Sequence, residues 1–413
     1  MQRLRSVFGV ATPPLEARHQ PSGSNLLFNG NPLVNGSRLA FADYVTRNRD
    51  MLSRAHAGAA DLQKIVDGNA PFELTPPPGF SAGQQKPYRR GILLTHGLSD
   101  SPYSMRHLAA FFQENGFRVM AVLLPGHGTQ PGDLLEATWQ EWAKTVAYGA
   151  YKLAGEVDEV YLAGYSTGAT LSVYQSLRDN RVRGLFLFSP ALKITRWAAL
   201  ANLHKLYSWL IPSARWIDIK PDLDIYKYES FTKNAAAQLY ALTQELDVHL
   251  QQPQLQGQGQ GLDIPVFIAA SADDMTVKTS IIIEFIARAR HPSSKLVLYT
   301  TEAEKFPPGF LEGRLELVNS VVPEQKILSS AHTAIVMPPE DRHYGVAGEY
   351  SNCVHYYPDE MEKYAACIKN PSADFQGEIT EKNLKAGILR RLMYNPNFAA
   401  LEVSMQRFID DLP

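Results

Sequence analysis

The chain has 413 residues with 40 Lys and Arg against 42 Asp and Glu, a formal net charge of −2, and 45% of it is hydrophobic. That length buries a large core and exceeds one minimal domain, so an insertion or an extra segment is expected. Balanced, evenly spread charge offers no basic field to a polyanion, so no nucleic acid partner is expected, and no run of about 18 apolar residues is present to span a membrane.

The start, MQRLRSVFGVATPPLEARHQ, is basic, but its hydrophobic stretch is too short for a signal peptide. Up to residue 85 the pattern is weak except between Leu39 and Val66, where one helix is expected. The segment closes in the proline- and glycine-rich PFELTPPPGFSAGQQKP, which defines an N-terminal arm over 1–85. The pattern then changes. GILLTH is a short apolar run, MRHLAAFFQEN has helical spacing, FRVMAVLLP is apolar again and TWQEWAKTVAYGAYKLAG is helical; VYLAG, a helix through TLSVYQSL, and GLFLFSP follow. Strands alternating with helices predict an α/β core with a doubly wound, mostly parallel sheet, over 86–190 and 262–338.

The alternation stops at Pro190 and resumes at DIPVFIAAS. The residues between, 191–261, are too many for an ordinary connection and predict a helical cap. Within it Leu200, Leu203, Tyr207 and Leu210, with Trp197, Trp209 and Trp216 nearby, give one helix a broad apolar face. QQPQLQGQGQG reads as a tether. KLVLYT and EQKILSS suggest a last strand pair, and 339–413 is a polar, irregular extension until a helix through FAALEVSMQRFIDDL. Its Cys353 and Cys367 are the two cysteines of the chain. A bridge between them, which implies an oxidising compartment such as the periplasm or the exterior, and two unrelated cytoplasmic thiols carry equal weight.

Gly164-Tyr165-Ser166-Thr167-Gly168 is a G-x-S-x-G sequence between a predicted strand and a predicted helix. The five-residue pattern is common, but its place at a strand-to-helix junction is what a nucleophile elbow requires. A serine hydroxyl needs a base, and in this arrangement the acid and then the histidine follow the serine along the chain. The strand in IPVFIAASADDMTV runs into Asp273 and Asp274, and Asp274 is preferred because Val277 anchors its loop. In KILSSAHTAIV, His332 follows a short strand and precedes apolar residues. His291 precedes a proline, and His343 and His355 lie in the tail, so His332 leads them. An oxyanion needs two backbone donors. Thr167 supplies one, and Leu98, after the strand ending at His96-Gly97, the other. His96 reads as a loop brace, and Ser99 with Asp100 as a turn.

THGLSDSPYSMRHLAAFFQENGFRVMAVLLPGHG, GYSTG, PVFIAASADDMTV and SSAHTAI, together spanning Arg90 to Pro338, resemble the carboxylesterase and monoacylglycerol lipase branch of the α/β-hydrolases. The resemblance implies a doubly wound sheet, a cap between the sheet strands flanking it, no cofactor, and hydrolysis of small-molecule esters with a medium or long acyl group; no metal site is expected. It supports Ser166, Asp274 and His332 as a triad, with Leu98 and Thr167 as oxyanion donors and His127 as a loop brace. In that branch the histidine follows the last strand closely. Here TEAEKFPPGFLEGRLELVNSVVPEQ separates KLVLYT from His332, and either KLVLYT or EQKILSS can be the last strand. The same residues fit a thioesterase, a peptidase acting on small N-terminal residues or a carbon–carbon bond hydrolase; a binding protein that retains an unused triad is the rival from another class.

Overall fold

The computed structural model describes residues 14–23, 33–34, 37–80, 82–193, 212–251, 262–307, 309–369 and 374–412. Eight strands make the central sheet: β1 (Phe72–Leu74), β2 (Tyr88–Thr95), β3 (Phe117–Val122), β4 (Val157–Tyr165), β5 (Val182–Phe188), β6 (Val266–Ser271), β7 (Lys295–Thr300) and β8 (Leu315–Asn319). Their order is β8-β7-β6-β5-β4-β2-β3-β1. Every pair is parallel except β1 with β3. This is the α/β-hydrolase fold.

The sheet is buried on both faces because its strands are apolar on both. In β2, Ile92 and Leu94 face one core and Leu93 the other, the period-two alternation of a strand. One face is covered by α1 (Phe41–Ala55), α4 (Trp139–Ala154), α5 (Thr167–Ser176), α6 (Lys233–Gln251) and α7 (Thr279–Arg288). The other is covered by α3 (Arg106–Glu114), the loop Ala331–Met337 and α9 (Phe398–Asp410). Helix α4 starts where a capping box fixes it: Thr138 accepts from the Glu141 N–H while the Glu141 carboxylate accepts from the Thr138 N–H.

The arm behaves differently from the expectation of one helix and a connector. Two helices form, α1 and α2 (Leu62–Asn69), parted by a turn containing Gly58 at φ 92°. Tyr44 of α1 is fully buried and its hydroxyl bonds the backbone of Leu123. Phe72–Leu74, inside the proline-rich stretch, closes the sheet edge as β1.

The end of the sheet differs from the expectation. EQKILSS forms no strand: Ile327 makes only isolated bridges, to Val322 and Gln376, after a turn with Lys326 at φ 54°. The last strand is Leu315–Asn319, a half-exposed edge whose Glu316 and Asn319 mask its apolar signal. In the cap region Trp216–Asp218 pairs antiparallel with Phe231–Thr232 and α6 follows; Trp216 is buried in that hairpin. Trp197, Leu200, Leu203, Tyr207, Trp209 and Leu210, and the tether at 252–261, lie outside the described residues.

The tail is not simply irregular before its final helix. It contains α8 (Met361–Lys369) and the parallel pair β9 (Phe375–Gly377) and β10 (Leu389–Arg391). Leu389, Leu392, Met393 and Tyr394 are buried. Elements this short carry no sustained period in sequence. Cys353 and Cys367 form a disulfide, so the alternative of two free thiols does not hold here. No described helix is long and apolar enough to cross a membrane.

Candidate active site

The chain runs from β2 to β3 on one side and crosses to β4 on the other, so the carboxyl ends of β2 and β4 flank the crevice where an open α/β sheet takes its ligand. Ser166 follows β4 directly, at φ 53° and ψ −113°, a backbone state that costs an L-residue on the order of 1–3 kcal/mol. The two glycines permit it by close approach. A Cβ on Gly164 would stand 2.2 Å from the Gly168 carbonyl carbon, and one on Gly168 would stand 2.0 Å from the Thr95 oxygen. The elbow is tied to the sheet by the Ser166 N–H, which donates to the Phe188 carbonyl.

The Ser166 Oγ lies 3.0 Å from Nε2 of His332, and Nδ1 of His332 lies 2.6 Å from Oδ2 of Asp274. All three are buried. With the Asp274 carboxylate accepting from Nδ1–H, Nε2 is left to accept from the serine hydroxyl. Burial works against the Asp274 charge, but the facing His332 and the N–H groups of Val277 and Thr276 outweigh it and hold the carboxyl below its ordinary value. Asp273 points elsewhere, accepting from the Thr301 hydroxyl.

Among the described residues, the backbone N–H groups of Leu98 and Thr167 have no acceptor. Thr167 opens α5, where the helix dipole adds to its pull on an anion. Leu98 is positioned through His96, whose Nδ1 bonds the Gly97 carbonyl while Nε2 accepts from the Leu124 N–H. Burial and neighbouring His127 hold His96 well below the ordinary histidine range, as that neutral tautomer requires. His127 is also buried, which lowers it to about 4, and its Nδ1 bonds the carbonyls of Leu124 and Pro125. From the cap region, the Tyr228 N–H donates to the Ser99 carbonyl and so lays that segment against the Leu98 loop. A small cleft next to Ser166 and His332 is lined by their chain neighbours Tyr165 and Thr333 together with Asp100, Lys227, Met337 and Tyr344.

The competing histidines have other partners. His343 bonds Asp224, His291 accepts from the Ser293 N–H, and the His355 ring packs against Tyr356. Sequence reasoning did not find the groups that hold the His332 backbone. Tyr165 donates its hydroxyl to the His332 carbonyl, and Glu378 accepts from its N–H. For Tyr165, inside the motif, adjacency is a usable signal; Glu378, 46 residues from His332, has none. No described cluster of three His, Cys, Asp or Glu side chains is placed to hold a metal.

The model of the serine aminopeptidase S33 family, Hydrolase_4, matches residues 86–302, more than half of the chain. The chain belongs to this family. The matched span contains Ser166 and Asp274, while His332 and the tail lie beyond it. Among relatives, the chain is 32% identical over 109 residues to the thermostable monoacylglycerol lipase of Bacillus sp. (strain H-257), which is 26% of this chain and 44% of that one. It is 29% identical over 101 residues to the carboxylesterase of Bacillus subtilis (strain 168), 24% of this chain and 39% of that one. The chain thus spans less than half the length of the curated relatives it matches. Among solved structures it is similar to the metagenome-derived lipolytic enzymes LipS and LipT, at 20% identity and a TM-score of 0.45, covering 58% of this chain and 94% of that one. It is also similar to the monoacylglycerol lipase of Paleococcus ferrophilus, at 16% identity and a TM-score of 0.41, covering 56% and 88%. This S33 family member therefore has hydrolase relatives that include a lipase and an esterase.

Proposed function

We propose that the chain cleaves carboxylic esters through an acyl-enzyme on Ser166. The observation that carries this is the buried relay from Ser166 Oγ to His332 Nε2 and from His332 Nδ1 to Asp274. His332 takes the serine proton as the hydroxyl attacks the ester carbonyl and then gives it to the departing alcohol; water repeats the sequence on the acyl-enzyme. Asp274 fixes the tautomer and stabilises the imidazolium. The N–H groups of Leu98 and Thr167 hold the oxyanion, each worth on the order of 3 kcal/mol of barrier.

The ester class rests on the local similarity to a monoacylglycerol lipase and a carboxylesterase. The description of the family model, a serine aminopeptidase, favours a second reading in which the same relay cleaves an N-terminal peptide bond. The Cys353–Cys367 bridge supports an oxidising compartment. The test is a panel of p-nitrophenyl acetate, butyrate and octanoate beside aminoacyl p-nitroanilides. Ester turnover without anilide turnover is expected. Anilide turnover alone would replace the esterase by the peptidase, and acetate as the best ester would remove a lipase-like acyl preference.

A further inference from the structure

The tail beyond the family match touches the triad from behind. Glu378, buried just after β9, accepts the His332 N–H on Oε2 at 3.0 Å. The Arg391 guanidinium, at the end of β10, pairs with both oxygens of that carboxylate, at 3.1 and 3.2 Å. The same guanidinium donates to the Thr276 hydroxyl at 2.9 Å. Thr276 in turn gives its backbone N–H to Asp274 Oδ1 at 2.7 Å. The contacts close a ring: His332 to Glu378, to Arg391, to Thr276, to Asp274, and back to His332 through the 2.6 Å bond of the triad.

We infer that Glu378 and Arg391 are positioning residues that set the distance and angle between the Asp274 carboxylate and the His332 imidazole. Neither reaches the reacting atoms. The need is physical: Asp274 and His332 sit on separate loops, 58 residues apart, and two loops held only through their own side chains drift relative to each other. The long stretch between β7 and His332, with the edge strand β8 in between, removes the short connection that would hold the histidine loop. The tail replaces it. Leu328 N–H donates to Gln376, Thr333 donates its hydroxyl to the Leu392 carbonyl, and Asn395 N–H donates to Met337, so the histidine loop is gripped along its length. Glu378 and Arg391 extend that grip to the acid loop. An ion pair in this place is suited to geometry more than to stability, since a part-buried pair returns little net energy.

The inference rests on the triad proposed above, and its test reads the triad directly as well as through turnover. Glu378→Gln, Arg391→Met, Arg391→Lys and the milder Thr276→Val are compared with wild type in the full chain. Two quantities are followed: kcat and KM on p-nitrophenyl butyrate, and the far-downfield proton resonance of the His332 Nδ1–H shared with Asp274. Expected are an unchanged KM, a kcat lower by about 10- to 100-fold in Glu378→Gln and Arg391→Met, and an upfield move of the resonance, because small misplacements cost rate steeply. Arg391→Lys recovers part of both signals and Thr276→Val loses less. A folded Glu378→Gln and Arg391→Met with wild-type kcat and resonance would overturn the inference, as would an Arg391→Lys no better than Arg391→Met. If wild type turns over no ester while its resonance still responds to these substitutions, the ester reading fails and the positioning role stands. Should Arg391→Met not fold, Glu378→Gln and Thr276→Val decide by the same two readouts.

Discussion

Two neighbouring aspartates show how much a residue's environment decides. Asp273 and Asp274 leave the same strand end, yet only Asp274 collects the N–H groups of Thr276 and Val277 and faces His332. Asp100, in the turn after the Leu98 loop, is buried and raised to about 6, with nearby Lys227 opposing the shift. The sign follows from proton binding. Between about pH 4 and 6 the native state keeps a proton on Asp100 that the unfolded chain has released, so stability falls as pH rises through that window, by about 3 kcal/mol in all. Asp100→Asn keeps an acceptor for the Ser101 N–H and should flatten this slope and be the more stable protein at pH 7.5. Urea unfolding of both proteins at pH 4, 5, 6 and 7 measures it; parallel slopes would refute the assignment.

At the scale of elements, the tail is organised by its disulfide. Cys353 and Cys367 are 14 residues apart, fully buried, and packed against β10: the Leu389 N–H donates to Tyr356 and Arg390 donates to the Cys367 carbonyl. Closing a loop of that length stabilises by about 3 kcal/mol, so the Cys353→Ser, Cys367→Ser double variant should lose roughly that in urea unfolding under oxidising conditions. An unchanged midpoint would mean the bridge does not form. The elements of the core were legible because β2 to β7 each contain a continuous apolar run and α3 and α4 have full helical period. Leu315–Asn319 was not, since an edge strand keeps polar residues, and β9 and β10 were not, since three residues display no period. The site divides in the same way. Ser166 carried its own signal in two flanking glycines whose Cβ atoms have no room. Asp274 and His332 are singled out by chain order, and the structure brings them within hydrogen-bond reach of each other and His332 within reach of Ser166. Glu378 and Arg391 act through tertiary contacts alone, and no local pattern announces such a role.

On the scale of the whole molecule, one face of the sheet is closed by the long helices of the core and cap region, and the other depends on the tail. Phe408 of α9 packs edge-on against Phe186 and beside Phe267, so the last helix completes the core under β5 and β6. The family match spans Ser166 and Asp274, the proposed nucleophile and acid. His332 and the tail that contacts its backbone come after that match, so the proposed triad draws on residues beyond it. The proposed chemistry turns on Ser166. Wild type and Ser166→Ala should be compared, at matched concentration and pH 8, for hydrolysis of p-nitrophenyl butyrate and octanoate and for labelling by a fluorophosphonate. Ester hydrolysis and a single label are expected in wild type, both lost in the variant, with a fall in kcat of about 10^6. Hydrolysis or labelling that survives in a folded Ser166→Ala would contradict the proposed chemistry.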